Sequence, residues 1–546
     1  METSPPRRKP RLPPPPPEGD PTASAVGASL ESLPGELLEN IVSRLSLRDA
    51  VRTSAISRSW IHRWESAPDL RHYWPRRSRP DAICAVLARY SRSVGQFCTW
   101  GIRADAFPHI DEWLPLLAAK GVQTLTLSFW DYSDVNVEYY TLHPAIFACG
   151  QLTSLHLERC FLPTAPEGFG GFPNLTLLSL VYVGLPENGE RKLEAMIRMS
   201  PSLVSLELSN VEVTDDDFED WIIQAPNLER LTITSDIDYG WQIQDLPSIQ
   251  DANINIEDYS IDRDFVKLLT SLAQVGELEL FIPSADGNVL EGISCSFQKL
   301  RSLTLHTNFY KASSILSTFG LLTRAPNLLH LEIEITDHEN QSNEVDIDFL
   351  NALWTNSLFA NLDFVSIKSA TCWSNEMRFI EFVLSKARLL GEFYIYHDDT
   401  GSFSKPREEA IIELAKYKRA SPKAKVFFRD MEGLFVLFLA RASYSANPSA
   451  IKSTQTHKPD FCLPAPIVVL LAKRMWNEKG ETTGGYMAVL MRIETQRSTL
   501  CTFDPQEASA FVIDCGPSTI AITGFFSDCV AGRLNPSSTT SRRRVR

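Results

Sequence analysis

Catalytic chemistry needs nucleophiles, bases or metal ligands at defined spacings, and the sequence contains none of the familiar arrangements. The ten cysteines form no C-x-x-C pair, and no group of cysteines and histidines has the spacing of a zinc site. No H-E-x-x-H, phosphate-binding G-x-x-x-x-G-K-[ST] or G-x-S-x-G pattern occurs. The glycine-rich stretch Gly168–Gly171 is expected to be a turn between longer elements. We therefore predict no catalytic residue, no metal and no cofactor, and a protein that is not an enzyme.

Two further groups of residues are open to a chemical or a structural interpretation. The acidic run 215–220 would suit a basic target. It would equally suit the first turn of a helix capped by Thr214, where carboxylates meet the positive end of the helix dipole, and we favour this second interpretation. Trp113 and Trp221 are expected to pack in helices rather than to stack on nucleic-acid bases.

Composition and charge narrow the class of protein. The 546 residues allow about three or four domains, and 44% hydrophobic with 22% charged residues is ordinary for a globular chain. The net charge of −14 argues against a general nucleic-acid binder. The apolar runs are too short for a membrane span, no secretory signal is visible, and the cysteines are expected to be reduced. These features predict a protein of the nucleus and/or cytoplasm, with Pro5–Arg11 as a possible import signal or a solubilising arm.

The elements begin after a Pro/Arg-rich tail, residues 1–30, which is predicted to be disordered. Residues 31–75 predict three short helices. The first has apolar residues at Leu37, Leu38, Ile41 and Leu45, which makes one apolar face. By periodicity alone, this unit is either a cap on the next domain or a docking face for a partner.

The residue string decides between these interpretations. LPGELLENIVSRLSLRDAVRTSAISRSWIHRW (Leu33–Trp64) resembles the F-box of plant proteins that carry leucine-rich repeats. The resemblance implies docking on a Skp-type adaptor within a cullin-containing SCF ubiquitin ligase. The residues expected to form the apolar contact, or the fold that supports it, are Leu33, Pro34, Leu37, Leu38, Ile41, Leu45, Val51 and Trp60.

The middle of the chain repeats the pattern L-x-x-L-x-L. The leading leucines Leu152, Leu175, Leu203 and Leu228 follow one another after 23, 28 and 25 residues, which is the period of leucine-rich repeats. The segments that carry the pattern are Val122–Phe129, Gln151–Cys160, Pro173–Val183, Pro201–Val213, Pro226–Thr234, Gly276–Leu280, Leu300–Leu305, Pro326–Ile335 and Asn361–Ser369.

Each x-L-x-L core predicts a strand with one buried face, and stretches such as Glu190–Met199 predict helices between the strands. One such unit cannot bury its own apolar face, so neighbouring units must stack. The predicted fold class is α/β: a three-helix F-box followed by an irregular leucine-rich-repeat solenoid, a right-handed α/β horseshoe. Strand side chains that face away from the core are the candidate substrate-binding residues, namely Ser154, His156, Ser205, Glu207, Arg230, Thr232, Thr304 and His330.

The stretch Trp373–Asp430 resembles the FBD module of the same plant proteins and is interpreted as a closing cap. The predicted domains are therefore the tail (1–30), the F-box (31–75), the repeats (80–370), the FBD-like module (371–431) and an extension of unknown fold (432–546). Within that extension, Phe435–Leu439 and Ile467–Leu471 look like strands.

Taken together, the two resemblances imply a substrate-recognition adaptor of an SCF-type ubiquitin ligase. Its expected partners are a Skp-type adaptor with its cullin complex and an unknown protein target, with no nucleic acid and no membrane. Two alternatives stay open: a protein-binding scaffold without a ligase, and a small-ligand receptor built on the repeats.

Overall fold

The computed structural model describes residues 33–430, except positions 69, 76–77, 104–105, 130–139, 214–219, 261, 284–286, 337–346 and 399–403, and the backbone of further strands between 435 and 522. The predicted tail and the acidic run 215–219 lie outside the described residues. The described chain is a mixed α/β structure. None of its described helices combines the length and the apolarity of a membrane span.

Ten α-helices are described. They are α1 Gly35–Ser43, α2 Leu47–Arg52, α3 Pro80–Arg89, α4 Phe107–Ala119, α5 Gly189–Arg198, α6 Phe265–Ser271, α7 Ala312–Leu322, α8 Ile347–Ala352, α9 Ser374–Lys386 and α10 Arg407–Leu414.

Twenty-four strands are described. They are β1 His72–Trp74, β2 Gln96–Thr99, β3 Thr124–Ser128, β4 Tyr140–Thr141, β5 Ser154–Phe161, β6 Leu177–Leu185, β7 Ser205–Ser209, β8 Glu212–Val213, β9 Trp221–Ile223, β10 Arg230–Ile237, β11 Trp241–Ile243, β12 Asp251–Asp258, β13 Glu277–Phe281, β14 Ser302–Thr307, β15 His330–Ile335, β16 Phe364–Ala370, β17 Glu392–His397, β18 Lys425–Asp430, β19 Phe435–Arg441, β20 Ile467–Trp476, β21 Thr482–Glu494, β22 Arg497–Thr502, β23 Phe511–Asp514 and β24 Thr519–Ile522.

The N-terminal helical unit has two α-helices rather than the three that the sequence predicted. Ser46 caps the start of α2, because its hydroxyl accepts a hydrogen bond from the Asp49 amide at 3.2 Å. After α2 the chain forms three 3₁₀ segments, and Ser57 between the first two has an extended backbone that a longer helix could not contain. Trp60 in the second 3₁₀ segment and Trp64 in the third are nevertheless buried, so this part of the unit supplies core without being an α-helix.

Parallel strands form the largest element of the fold. Neighbouring strands follow in the order β1-β2-β3-β5-β6-β7-β10-β12-β13-β14-β15-β16-β17-β18, and every pair in this series is parallel. Alternate residues of each strand are buried, for example Leu155 and Leu157 of β5 at 1% and 0% exposure. One face of the sheet therefore packs on the core, while the other carries the polar residues of the repeat pattern.

The repeat strands confirm the leucine pattern, since each of the nine predicted segments contains a strand of the parallel series. The series also includes strands that the pattern missed. In β12 the buried positions are Ala252, Ile254 and Ile256 instead of leucines. Trp221 lies in strand β9 and not in a helix, because the Trp-Ile-Ile run pairs with Trp241 on β11 in a separate two-stranded sheet.

Hydrogen bonds and a strand pairing connect the helical unit to the first elements of the sheet. Strand β1 follows the last 3₁₀ segment closely and pairs with β2, the next strand of the series. Glu65 accepts hydrogen bonds from the Ser91 amide (2.7 Å), the Ser91 hydroxyl (2.8 Å) and Arg89 Nε (2.9 Å). The Tyr90 hydroxyl donates to the Ala67 carbonyl at 2.8 Å. These contacts hold the helical unit and the first repeats in one orientation.

One buried histidine and one buried ion pair stand out inside this framework. His72 of β1 is fully buried, neither of its ring nitrogens has a hydrogen-bond partner in the described part of the chain, and its ring lies edge-on to Tyr90. Further along, Asp238 and Arg263 form an ion pair whose side chains are 1% and 4% exposed. Arg263 also lies over the ring of Trp241 at 4.6 Å.

The FBD-like stretch continues the sheet instead of only closing it. Helix α9 and strand β17, then helix α10 and strand β18, follow one another along this stretch. Both strands pair in parallel with the series. The parallel series ends at β18, because β19 pairs with it in antiparallel orientation and β20–β22 continue as antiparallel strands. Strands are thus present at both places in the extension where the sequence predicted them.

Candidate functional site: two protein-binding surfaces

The first surface is the outer side of α1. This helix buries Leu38 and Val42 at 1% and 0% exposure, while Leu37 and Ile41 on the other side are 52% and 39% exposed. Ile56, between the first two 3₁₀ segments, is 58% exposed. Large apolar side chains that lie on a helix in this way are a common mark of protein–protein contact.

The remaining predicted docking residues occupy different layers. Pro34 is exposed at the start of α1. Leu33, Leu45 and Val51 are half-buried and pack against the core. Trp60 is 2% exposed, and the guanidinium of Arg63 lies 5.6 Å from its ring centre. The structure therefore brings Pro34, Leu37 and Ile41 to the surface, whereas Leu38 and Trp60 support the fold beneath them.

The second surface is the polar face of the parallel sheet, where the strand register aligns the predicted substrate-binding residues. Successive pairings connect Ser154, Ser205, Arg230 and His330 through intervening strands into one row. The same pairings connect His156, Glu207, Thr232 and Thr304 into a second row, two residues further along each strand. All eight residues lie on one face because both rows alternate with buried residues of the same strands.

Side-chain hydrogen bonds run across the strands of this face near its first repeats. The Ser179 hydroxyl donates to Glu207 Oε2 at 2.5 Å, and His156 Nδ1 lies 2.8 Å from the same hydroxyl. Burial lowers the pKa of His156, although Glu158 and Glu207 oppose that shift. The imidazole is therefore held neutral at pH 7, and it acts as a hydrogen-bonding group on this surface.

A second set of cross-strand bonds follows in the middle of the face. Asn253 donates to Glu279 Oε2 at 2.8 Å, and His306 Nε2 lies 2.8 Å from Glu279 Oε1. His306 Nδ1 lies 3.6 Å from a carboxylate oxygen of Glu334. These bonds fix the side chains before any partner arrives, which lowers the entropy that binding must overcome.

A shallow depression of about 180 Å³ lies within this middle sector. Its lining combines opposite charges, because Arg230 lies beside Asp251, Glu277 and Glu279. Three of the eight predicted residues contribute to it, namely Arg230, Thr232 and Thr304.

The last strands of the series add an aromatic sector that sequence reasoning missed. Tyr394 and Phe427 stack with ring centres 4.6 Å apart, and Phe364 lies 5.6 Å from Tyr394. The guanidinium of Arg429 lies 4.8 Å from the Tyr394 ring centre. The alternation in EFYIYH (Glu392–His397) and KVFFRD (Lys425–Asp430) was the signal that could have found this sector, had these strands been treated as further repeats.

Comparison with known proteins finds two domain models that match this chain. The F-box domain model matches residues 30–72. The model described as "FBD-associated F-box protein At5g56370, LRR repeats" matches residues 110–237. The F-box/FBD/LRR-repeat protein At1g13570 of Arabidopsis thaliana is 26% identical over 428 residues, which cover 73% of this chain and 98% of that protein.

Two further Arabidopsis thaliana proteins show the same relationship. The putative F-box/LRR-repeat protein At3g18150 is 24% identical over 68% of this chain and 87% of its own length. The F-box/LRR-repeat protein At3g03360 is 25% identical over 52% of this chain and 65% of its own length. The chain therefore carries an F-box domain followed by FBD-associated leucine-rich repeats, and its homologues are F-box/FBD/LRR-repeat proteins.

Proposed function

We propose that this chain is a non-catalytic substrate adaptor of an SCF-type ubiquitin ligase. In this proposal, the F-box docks on a Skp-type adaptor of the cullin complex and the repeats hold a target protein. The observation that carries the proposal is the division of α1, which exposes Leu37 and Ile41 while it buries Leu38 and Val42. Exposing two large apolar side chains one turn apart is unfavourable unless a partner covers them.

A partner that covers Leu37 and Ile41 gains an appreciable free energy of binding. Burial of a leucine or isoleucine side chain contributes about 1.5–3 kcal/mol when it is complete. Because Leu37 and Ile41 are already about half-covered, we estimate about 1 kcal/mol from each on docking. A charge placed at either position would add the cost of burying an unpaired carboxylate.

We further propose that the repeats form an irregular right-handed α/β horseshoe with the polar face of the sheet on its concave side. Support comes from the long parallel series, with helices such as α5, α6 and α7 between its strands. On that face the aromatic sector supplies the residue types that dominate protein interfaces, tyrosine, phenylalanine and arginine. Target proteins are expected to anchor there and to contact the eight polar residues along the strands.

The size of the depression favours a protein target over a small hormone-like compound. Pockets for such ligands usually enclose about 300–1,000 Å³, whereas this depression measures about 180 Å³. Its polar lining is better suited to side chains of a partner that covers the whole face.

The adaptor would act by proximity. An acceptor lysine held beside a charged conjugating enzyme reacts as if it were at high local concentration. The hydrogen bonds from Ser91, Arg89 and Tyr90 to the last turns of the F-box support this role, because they fix the target face relative to the ligase.

Docking is tested with a double variant of the full chain, Leu37→Asp with Ile41→Asp. We expect capture of a purified Skp-type adaptor to fall at least about thirtyfold, which corresponds to about 2 kcal/mol. The matched control is Leu389→Asp, which makes the same change at a leucine that is 59% exposed outside the F-box. Unchanged capture by the double variant, with circular dichroism showing an intact fold, would refute the docking proposal.

Target binding is tested separately with Tyr394→Ala and Phe427→Ala together. Affinity purification from the native cell, with the proteasome blocked, should then retain the Skp-type adaptor and lose the target proteins. A scaffold without a ligase would instead bring down targets and no adaptor from the wild-type chain. Retention of all targets by the variant would show that the aromatic sector is not their anchor.

A further inference from the structure

A cysteine, a histidine and a glutamate meet on the outer surface of the first two repeat helices. Cys84 lies on α3, and His109 and Glu112 lie one turn apart on α4. Cys84 Sγ is 3.8 Å from His109 Nδ1 and 3.4 Å from Glu112 Oε2, and those nitrogen and oxygen atoms are 4.0 Å apart. Cys84 and His109 are 25 residues apart in the chain, so a search for short zinc spacings could not detect them.

These separations are close to those of a zinc site. Bonds of about 2.3 Å to sulfur and about 2.0–2.2 Å to nitrogen and oxygen, at tetrahedral angles, place sulfur about 3.6 Å from either partner and nitrogen about 3.4 Å from oxygen. Both sulfur separations of this cluster therefore agree within about 0.2 Å. Only the His109–Glu112 separation is too long, and the Glu112 side chain is 64% exposed and free to approach.

The kinds of ligand identify the class of ion. A thiolate with an imidazole and one carboxylate suits Zn²⁺ and its spectroscopic substitute Co²⁺, whereas Mg²⁺ and Ca²⁺ prefer oxygen ligands alone. The Trp113 indole N–H lies 2.9 Å from Cys84 Sγ and donates to it, as outer partners of metal ligands do. Because His109 is 38% exposed and Glu112 more so, water can reach the fourth position.

We propose that Cys84, His109 and Glu112 bind a Zn²⁺ ion, with water as the fourth ligand. The ion would connect α3 to α4 directly behind the junction with the F-box, since Arg89 at the end of α3 bonds to Glu65. Zinc would thus stabilise the orientation between the docking unit and the repeats. This site is independent of the adaptor role proposed above.

The test is a Co²⁺ titration of the chelator-treated full-length protein. We expect one equivalent to produce a thiolate-to-cobalt charge-transfer band in the near ultraviolet, and Zn²⁺ to abolish the band by displacement. Cys84→Ser should remove the band. His109→Ala or Glu112→Gln should weaken Zn²⁺ binding at least about tenfold, because this is the smallest effect usual for substitution of a residue near a metal. Cys295→Ser, at another half-buried cysteine, is the control and should keep the band.

A second measurement reports on the fold. At a free Zn²⁺ concentration one hundred times its Kd, hydrogen exchange of the α3 and α4 amides should slow by about a hundredfold in the wild type and not in Cys84→Ser. Circular dichroism without metal checks that each variant is folded. Absence of the cobalt–thiolate band in the wild type, or an equal band in folded Cys84→Ser, would overturn the proposal.

Discussion

The buried imidazole of His72 makes the junction between the F-box and the repeats sensitive to pH. Burial, assisted by the nearby charge of Lys120, lowers the pKa of His72 from 6.5 to about 4 in the folded chain. In the unfolded chain the same group titrates near its ordinary value. Below pH 6.5 the unfolded state therefore takes up a proton that the folded state excludes. The stability that neutral His72 contributes is complete above pH 6.5 and is lost as the pH falls towards 4.

The size of the effect follows from the two pKa values. Between pH 7 and pH 5 the linkage relation gives a loss of about 2 kcal/mol from this one group. That loss corresponds to about a thirtyfold rise in the population in which β1 is open. The magnitude changes little if the folded-state pKa is moved by one unit, because most of the loss comes from protonation of the unfolded chain.

Hydrogen exchange of the β1 amides, corrected for the intrinsic rate at each pH, measures this opening. We expect His72→Leu to remove about 2 kcal/mol of the decrease seen between pH 7 and pH 5 in the wild type. Tyr73→Leu is the control, since it places a leucine in the same strand at a residue that is 59% exposed and leaves the imidazole intact. If the wild type and His72→Leu lose protection equally as the pH falls, the reasoning about His72 is wrong.

Two further predictions concern stability, and urea unfolding of the full chain measures both. Gly171→Ala should lower the free energy of unfolding by about 2 kcal/mol or more. The positive φ of 76° at this position strains an alanine, and the new Cβ would lie 2.7 Å from the carbonyl carbon of Met199. Gly170→Ala meets nothing within 4 Å and should be nearly neutral, so equal losses would contradict the prediction. Arg263→Met should lower the free energy of unfolding by about 3–5 kcal/mol, because it leaves the buried carboxylate of Asp238 without its cation. A loss of less than about 1 kcal/mol would show that Asp238 finds another partner.

The sequence predicted the elements that local periodicity determines. In each of the nine repeat segments, apolar residues two apart predicted a strand with one buried face, and each of these segments carries a strand in the structure. The same alternation placed Ser154 and His330 on one face without any knowledge of the strand order. Strand β12 was missed because Ala252 and the two isoleucines keep the alternation but not the leucine signature.

Other features depend on contacts that periodicity does not encode. The hydrogen bonds of Glu65 to Ser91 and Arg89 connect residues of separate elements. The approach of Cys84 to His109 depends on how α3 packs against α4. The aromatic sector was missed for another reason, because Tyr394 was assigned to a closing module and its strand was not counted with the repeats.

The direct passage from the F-box into β1 has a mechanical consequence. Fourteen neighbouring strands, at about 4.8 Å each, extend the sheet for about 60 Å from β1 to β18. Over that distance, a tilt of 5° at the first strand would displace the far end by up to about 5 Å. Small changes at the first strand are therefore amplified along the sheet, so the few bonds around Glu65 determine how accurately the last strands are positioned relative to the F-box.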